Sequence, residues 1–123
     1  MSNDNQSQTD GPVTDDTLPV IAIAGGTGNL GTGLARRWAQ AGYKIVIGSR
    51  TEEKARIAAD DCREFLAKRG VAGIAVDAMS NVAAAEAADI VTLTVPFAHH
   101  RSTLTELKPA LAGKILIDVT VPL

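Results

Sequence analysis

The chain has 123 residues, 46% of them hydrophobic and 21% charged, enough for one domain with a packed core. A net charge of −2 and an aromatic content of 3% argue against a base-stacking, polyanion-binding surface, so no nucleic-acid partner is expected. The single cysteine, Cys62, excludes an internal disulfide and a multi-cysteine zinc site, and no apolar run approaches the ~18 residues that cross a bilayer, so no membrane role is expected.

Residues 1–18 carry Asp4, Asp10, Asp15 and Asp16 with no base, and read as a disordered, solvated tail. They lack the basic start and apolar centre of a secretory signal, so the expected compartment is the cytoplasm. Residues 19–123 then hold a net charge of +2, which suits a small anionic ligand.

From Pro19 onward short apolar runs alternate with helical patterns. Residues 20–24 (VIAIA) are β-branched and end at glycines, as a buried strand does. Residues 29–41 place Leu30, Leu34, Trp38 and Ala41 on one helical face, and Gly42 follows as a stop. Residues 44–48 (KIVIG) predict a second strand. Ser49 to Glu52 has the S-x-x-E form of a capping box and opens a helix to about residue 69, with Ile57, Phe65 and Leu66 apolar. Residues 73–76 predict a weak third strand, 82–87 a short alanine-rich helix, and 90–95 (IVTLTV) a fourth strand stopped by Pro96. A helix over 99–111 with Leu104, Leu107 and Leu111 on one side leads to a fifth strand at 114–119.

Regular alternation of this kind predicts an α/β fold: a doubly wound, Rossmann-like parallel sheet of about five strands, order 3-2-1-4-5, with helices on both faces. Gly26-Thr27-Gly28-Asn29-Leu30-Gly31 is a G-x-G-x-x-G lying between the first strand and its helix, where such a loop cradles a pyrophosphate. Its glycines serve a tight turn, close backbone approach by the ligand and close helix–strand packing. Unpaired amides and the positive end of the helix dipole face the anion.

The tip of the second strand selects the dinucleotide. An NAD site places an acid there for the ribose 2′-hydroxyl. This chain has Ser49, Arg50 and, four residues on, Lys54, a donor set for a 2′-phosphate; the expected cofactor is therefore NADP. Met79 is placed either near an adenine edge or in the core, and Asp118 either on a ligand or as a cap. Cys62, between Asp61 and Glu64, reads as structural. His99 reads as a pocket contact and His100 as a surface residue. No cluster has metal-ligand spacing.

The stretch IAIAGGTGNLGTGLARRWAQAGYKIVIGSRTEEK resembles the N-terminal domain of coenzyme F420-dependent NADP oxidoreductases. The resemblance covers essentially residues 20–123 and is carried by GGTGNLG (25–31), IGSR (47–50), TVPFAH (94–99) and VTVPL (119–123). It implies reversible hydride transfer between NADPH and an 8-hydroxy-5-deazaflavin, coenzyme F420. By the same resemblance Thr27, Gly28, Asn29 and Leu30 hold the diphosphate, and Ser49, Arg50 and Lys54 the 2′-phosphate. Val95, Pro96 and His99 would line the ribose–nicotinamide end, with Thr120 near the nicotinamide. Members of the family carry a second domain that shapes the deazaflavin pocket and contributes to a dimer. Residues 19–123 are accordingly expected to be the NADP-binding half, with a homodimer as the family's assembly. The competing expectation is a non-catalytic NADP-binding module acting with a partner chain. A short-chain reductase is set aside because Tyr43 has no lysine four residues on, Ile47 standing there. The similar domain of membrane metalloreductases is set aside for want of a membrane segment.

Overall fold

The computed structural model describes residues 17–119. In chain order it has β1 (Ile21–Ala24), α1 (Asn29–Gln40), β2 (Ile45–Ser49), α2 (Glu52–Ala67), β3 (Val76–Ser80), α3 (Asn81–Ala87), β4 (Ile90–Leu93), α4 (His100–Leu107) and β5 (Ile115–Asp118). The strands form one parallel sheet in the expected order β3-β2-β1-β4-β5. Most of the expected tail lies outside the described residues.

β1 is central and buried on both faces, and its residues divide by size. Ile21 and Ile23 join Ile45, Ile47, Ala35, Ala39 and Leu66 under α1 and α2. Ala22 and Ala24 face the opposite layer, where Ala84, Ala85 and Ala88 are buried. Small side chains on both partners let α3 lie close to the sheet. The isoleucines on the other face supply burial of about 1.5–3 kcal/mol each.

Several local expectations are corrected. On α1 the buried stripe is Gly31, Ala35 and Ala39, and Leu34 and Trp38 only flank it. Leu30, expected on the apolar face, is 47% exposed, because the close approach of small residues turns the helix away from it. Ile57 is likewise exposed, since α2 packs through Ala55, Ala58, Ala59, Cys62 and Leu66. The capping box is not formed: Ser49 ends β2, and Thr51 is the N-cap residue without a side-chain bond. Ser49 Oγ accepts weakly from Thr51 N–H at 3.4 Å.

The third strand lies at Val76–Ser80, downstream of its expected place, in register with β2 from Ile45↔Val76 to Ser49↔Ser80. Gly73 has φ +72°, a turn conformation that a strand does not continue through. The expected helix over 99–111 is three pieces: a 3₁₀ turn (Phe97–His99), α4, and a second 3₁₀ turn (Lys108–Ala110) holding Pro109, which has no N–H to continue the α-helical ladder. Leu104, Leu107 and Leu111 still pack on one side, against the β4 layer. β5 is an edge strand whose Ile115, Leu116 and Ile117 are exposed.

Candidate functional site

The carboxyl ends of β1, β2 and β4 converge on a cleft of about 330 Å³. Its walls include Gly25 and Thr27 after β1, Ser49, Arg50 and Thr51 after β2, Lys54 on α2, Asn81 on α3, and Val95, Pro96 and His99 after β4. This is the crevice at the point where strand order reverses, where open parallel sheets place ligands. A groove of about 420 Å³ between α1 and α2 adjoins it, sharing Thr27 and Lys54 and adding Asn29, Thr32 and Arg36.

The loop after β1 is built by close approaches. Gly25 has φ +72°, and a Cβ on it would stand 2.3 Å from Val95 Cγ1. The turn glycine is thus Gly25, one residue before the motif begins. Gly26 is buried and its N–H donates to Gly48 C=O at 2.9 Å, so it ties the loop to β2 and its amide does not face the cleft. Thr94 Oγ1 donates to Ala24 C=O at 2.9 Å and reaches Gly25 C=O at 3.1 Å, fastening the loop to β4.

Beyond Gly26 the loop is open. A Cβ on Gly28, the N-cap of α1, would meet nothing within 4 Å. The amides of Thr27, Gly28, Asn29 and Leu30 have no acceptor among the described residues. The first turn of α1 holds no acid, so the positive end of its dipole is uncompensated, whereas α2 begins with Glu52 and Glu53. Arg50 and Lys54 are exposed and make no ion pair among the described residues. Two unpartnered cations therefore flank a row of unpartnered amides, an arrangement that fits a ligand carrying several phosphates.

Sequence reasoning placed Thr27, Ser49, Arg50, Lys54, Val95, Pro96 and His99, and all seven line the one cleft. Asn29 faces the adjoining groove, Leu30 is exposed at the start of α1, and Thr120 lies outside the described residues. Met79 is partly buried and packs against the cluster formed by Ala22, Val46, Ala84 and Ala88, so it belongs to the edge of that core layer. His100, expected as an ordinary surface residue, pairs with Asp118 in an exposed contact through Nε2 and Oδ2 at 2.5 Å, and neither residue lines the cleft. Burial raises the Cys62 thiol above its ordinary range, with Arg36 and Arg63 offsetting part of the rise; it is a structural thiol. Asn81, Ser102 and Thr103 line the cleft without having been anticipated. Among the described residues no His, Cys, Asp and Glu group could hold a metal, and no helix is long and apolar enough to cross a membrane.

Fold and cleft together define a doubly wound domain of the dinucleotide-binding type. The family described as coenzyme F420-dependent NADP oxidoreductase matches residues 20–122, and the chain belongs to it. It is 47% identical over 103 residues to the F420-dependent NADP reductase of Methanothermobacter marburgensis, covering 84% of this chain and 45% of that protein. The F420-dependent NADP reductase of Methanocaldococcus jannaschii is 45% identical with the same coverage. A crystal structure of an Arthrobacter sp. FB24 protein assigned as an F420-dependent NADP reductase superposes with TM-score 0.66 at 28% identity, covering 85% of this chain and 46% of that one. The chain thus spans about half the length of the relatives it matches.

Proposed function

We propose that this chain is the NADP-binding part of an oxidoreductase that transfers hydride between NADPH and coenzyme F420. The observation that carries the proposal is the pair of unpartnered cations, Arg50 and Lys54, beside the open amides of the loop, with no acid at the tip of β2. In this reading the amides from Thr27 to Leu30 hold the diphosphate. Ser49, Arg50 and Lys54 hold the 2′-phosphate, and Val95, Pro96 and His99 line the nicotinamide end. The dinucleotide supplies the hydride. The protein's part is to bind and orient it, because transfer between two cofactors needs no protein base. F420 as the second substrate rests on the names of the relatives. A homodimer in the cytoplasm is the setting of this reading, and sedimentation of the purified chain tests the first half of it.

A second reading is an NADP-binding module that acts with a partner chain; the relatives' names belong to proteins of which this chain matches 45%. Titration of the purified chain with NADPH, followed by turnover with NADPH and F420, separates the two. Binding with turnover supports the first reading, and binding without turnover supports the second. Gly28→Val puts a branched side chain where the diphosphate would lie and is expected to abolish NADPH binding while the domain stays folded. Unchanged affinity in that variant would defeat both readings.

A further inference from the structure

We infer that Asn81 is a positioning residue for the glycine loop and that its spare carboxamide N–H bonds the dinucleotide; this rests on the NADP reading above. Asn81 follows β3 and opens α3, yet it acts on the far side of β2. Gly25 N–H donates to its Oδ1 at 3.1 Å, a contact spanning 56 residues of sequence. Gly25 is the residue with φ +72° that turns the chain into the phosphate loop, so the bond holds the loop at its pivot.

An asparagine at a helix start ordinarily serves as the cap. Here Ser80 already does so, its Oγ accepting from Ala83 N–H at 3.2 Å. Asn81 is thereby freed from local duty, and yet it is only 2% exposed. A buried carboxamide is costly unless bonded, so its retention needs a reason elsewhere. Gly48 records the same constraint from the opposite side. It stands in the fully buried strand β2, where glycine weakens the strand, and a Cβ there would lie 2.8 Å from Asn81 Oδ1 and 3.2 Å from Asn81 Cα.

The bond from Gly25 fixes which way the carboxamide faces: the oxygen is on the loop and Nδ2 is left over. Nδ2 donates to no described residue, and it is not among the sealed, unpartnered polar atoms, which are Arg36 Nε and Thr92 Oγ1. Asn81 lines the cleft together with Gly25 and Ser49, and on this inference its free donor serves the adenosine half of NADPH there.

The test uses the purified chain, with NADPH and 2′,5′-ADP as probes and amide exchange at Gly25 as an independent readout. Asn81→Ala should weaken both ligands at least tenfold and speed Gly25 exchange, while the far-ultraviolet circular dichroism stays unchanged. Asn81→Asp keeps an acceptor for Gly25 but has no donor; it should restore Gly25 protection and leave binding weak. Wild-type affinity in Asn81→Ala, with NADPH binding intact in the parent, would overturn the inference and leave the NADP reading standing. Wild-type affinity in Asn81→Asp would overturn the donor. A parent chain that binds neither probe would overturn the NADP reading and this inference with it.

Discussion

Gly31 on α1 rests directly on Gly26 of the loop: a Cβ on Gly31 would stand 2.6 Å from Gly26 Cα and 3.0 Å from its carbonyl. The obstacle is backbone, so it cannot swing aside as a side chain would. Gly31→Ala is therefore expected to cost about 1–3 kcal/mol and to disturb the loop. Two residues on, Gly33 has nothing within 4 Å of its missing Cβ and an ordinary helical backbone. Gly33→Ala is expected to stabilise by about 0.5–1 kcal/mol, the helix-propensity difference. Urea unfolding midpoints of the two variants should move in opposite directions.

Arg50 is the residue on which cofactor choice turns. It is exposed at the tip of β2, has no acidic partner among the described residues, and shares the cleft with Ser49 and Lys54. If it meets only the 2′-phosphate, Arg50→Ala should reduce NADPH binding by about 1.5–3 kcal/mol and leave NADH binding unchanged. Added salt should weaken NADPH binding to the parent more than to the variant, because exposed charges are screened. Equal losses for the two cofactors in calorimetric titration would remove the clamp from the account.

How much of this was legible beforehand depends on range. The sheet order follows from alternating elements and right-handed crossovers, which are local patterns joined by a general rule. The charged tip of β2 is legible for the same reason, since Ser49, Arg50 and Lys54 are neighbours in sequence. The third strand is expected a few residues too early because VDAMS is an edge strand with polar members and no clean alternation, while the apolar look of Ile74 belongs to the turn before it. Leu30 and Ile57 are exposed despite their hydrophobicity, because small residues, which permit close approach, dominate the buried faces of α1 and α2. Asn81 was invisible because its partner is Gly25, and only the folded sheet brings the two together. The one local hint was Ser80 beside it, two capping residues where one suffices.

Thr92 lies in the middle of β4, fully buried, with a hydroxyl that has no partner among the described residues. A β-branched residue suits a strand, but a buried unbonded hydroxyl carries a desolvation cost. Valine keeps the shape and removes the polar atom. Thr92→Val should raise stability by about 1 kcal/mol without altering NADPH affinity, since Thr92 is not a lining residue of the cleft. A thermal melt that falls would show that the hydroxyl finds a partner in solution.

Cys62 supplies the pH dependence. It is 2% exposed on the buried face of α2, and burial is the larger influence, lifting its thiol above the ordinary 9.0; the Arg36 and Arg63 guanidinium groups pull the other way. At neutral pH the thiol is protonated in both the folded and unfolded chain, so stability does not vary with its titration there. As pH climbs through 9.0 the unfolded thiol ionises first, and the folded chain then holds more protons than the unfolded one. Stability contributed by this group is therefore full below that value and lost as pH rises through the folded one. Cys62→Ala should flatten that alkaline decline relative to the parent, and a thiol reagent at pH 8 should label the native chain only as fast as it unfolds. Rapid labelling without unfolding would mean that the groove between α1 and α2, which Cys62 lines from the α2 side, admits the reagent in solution.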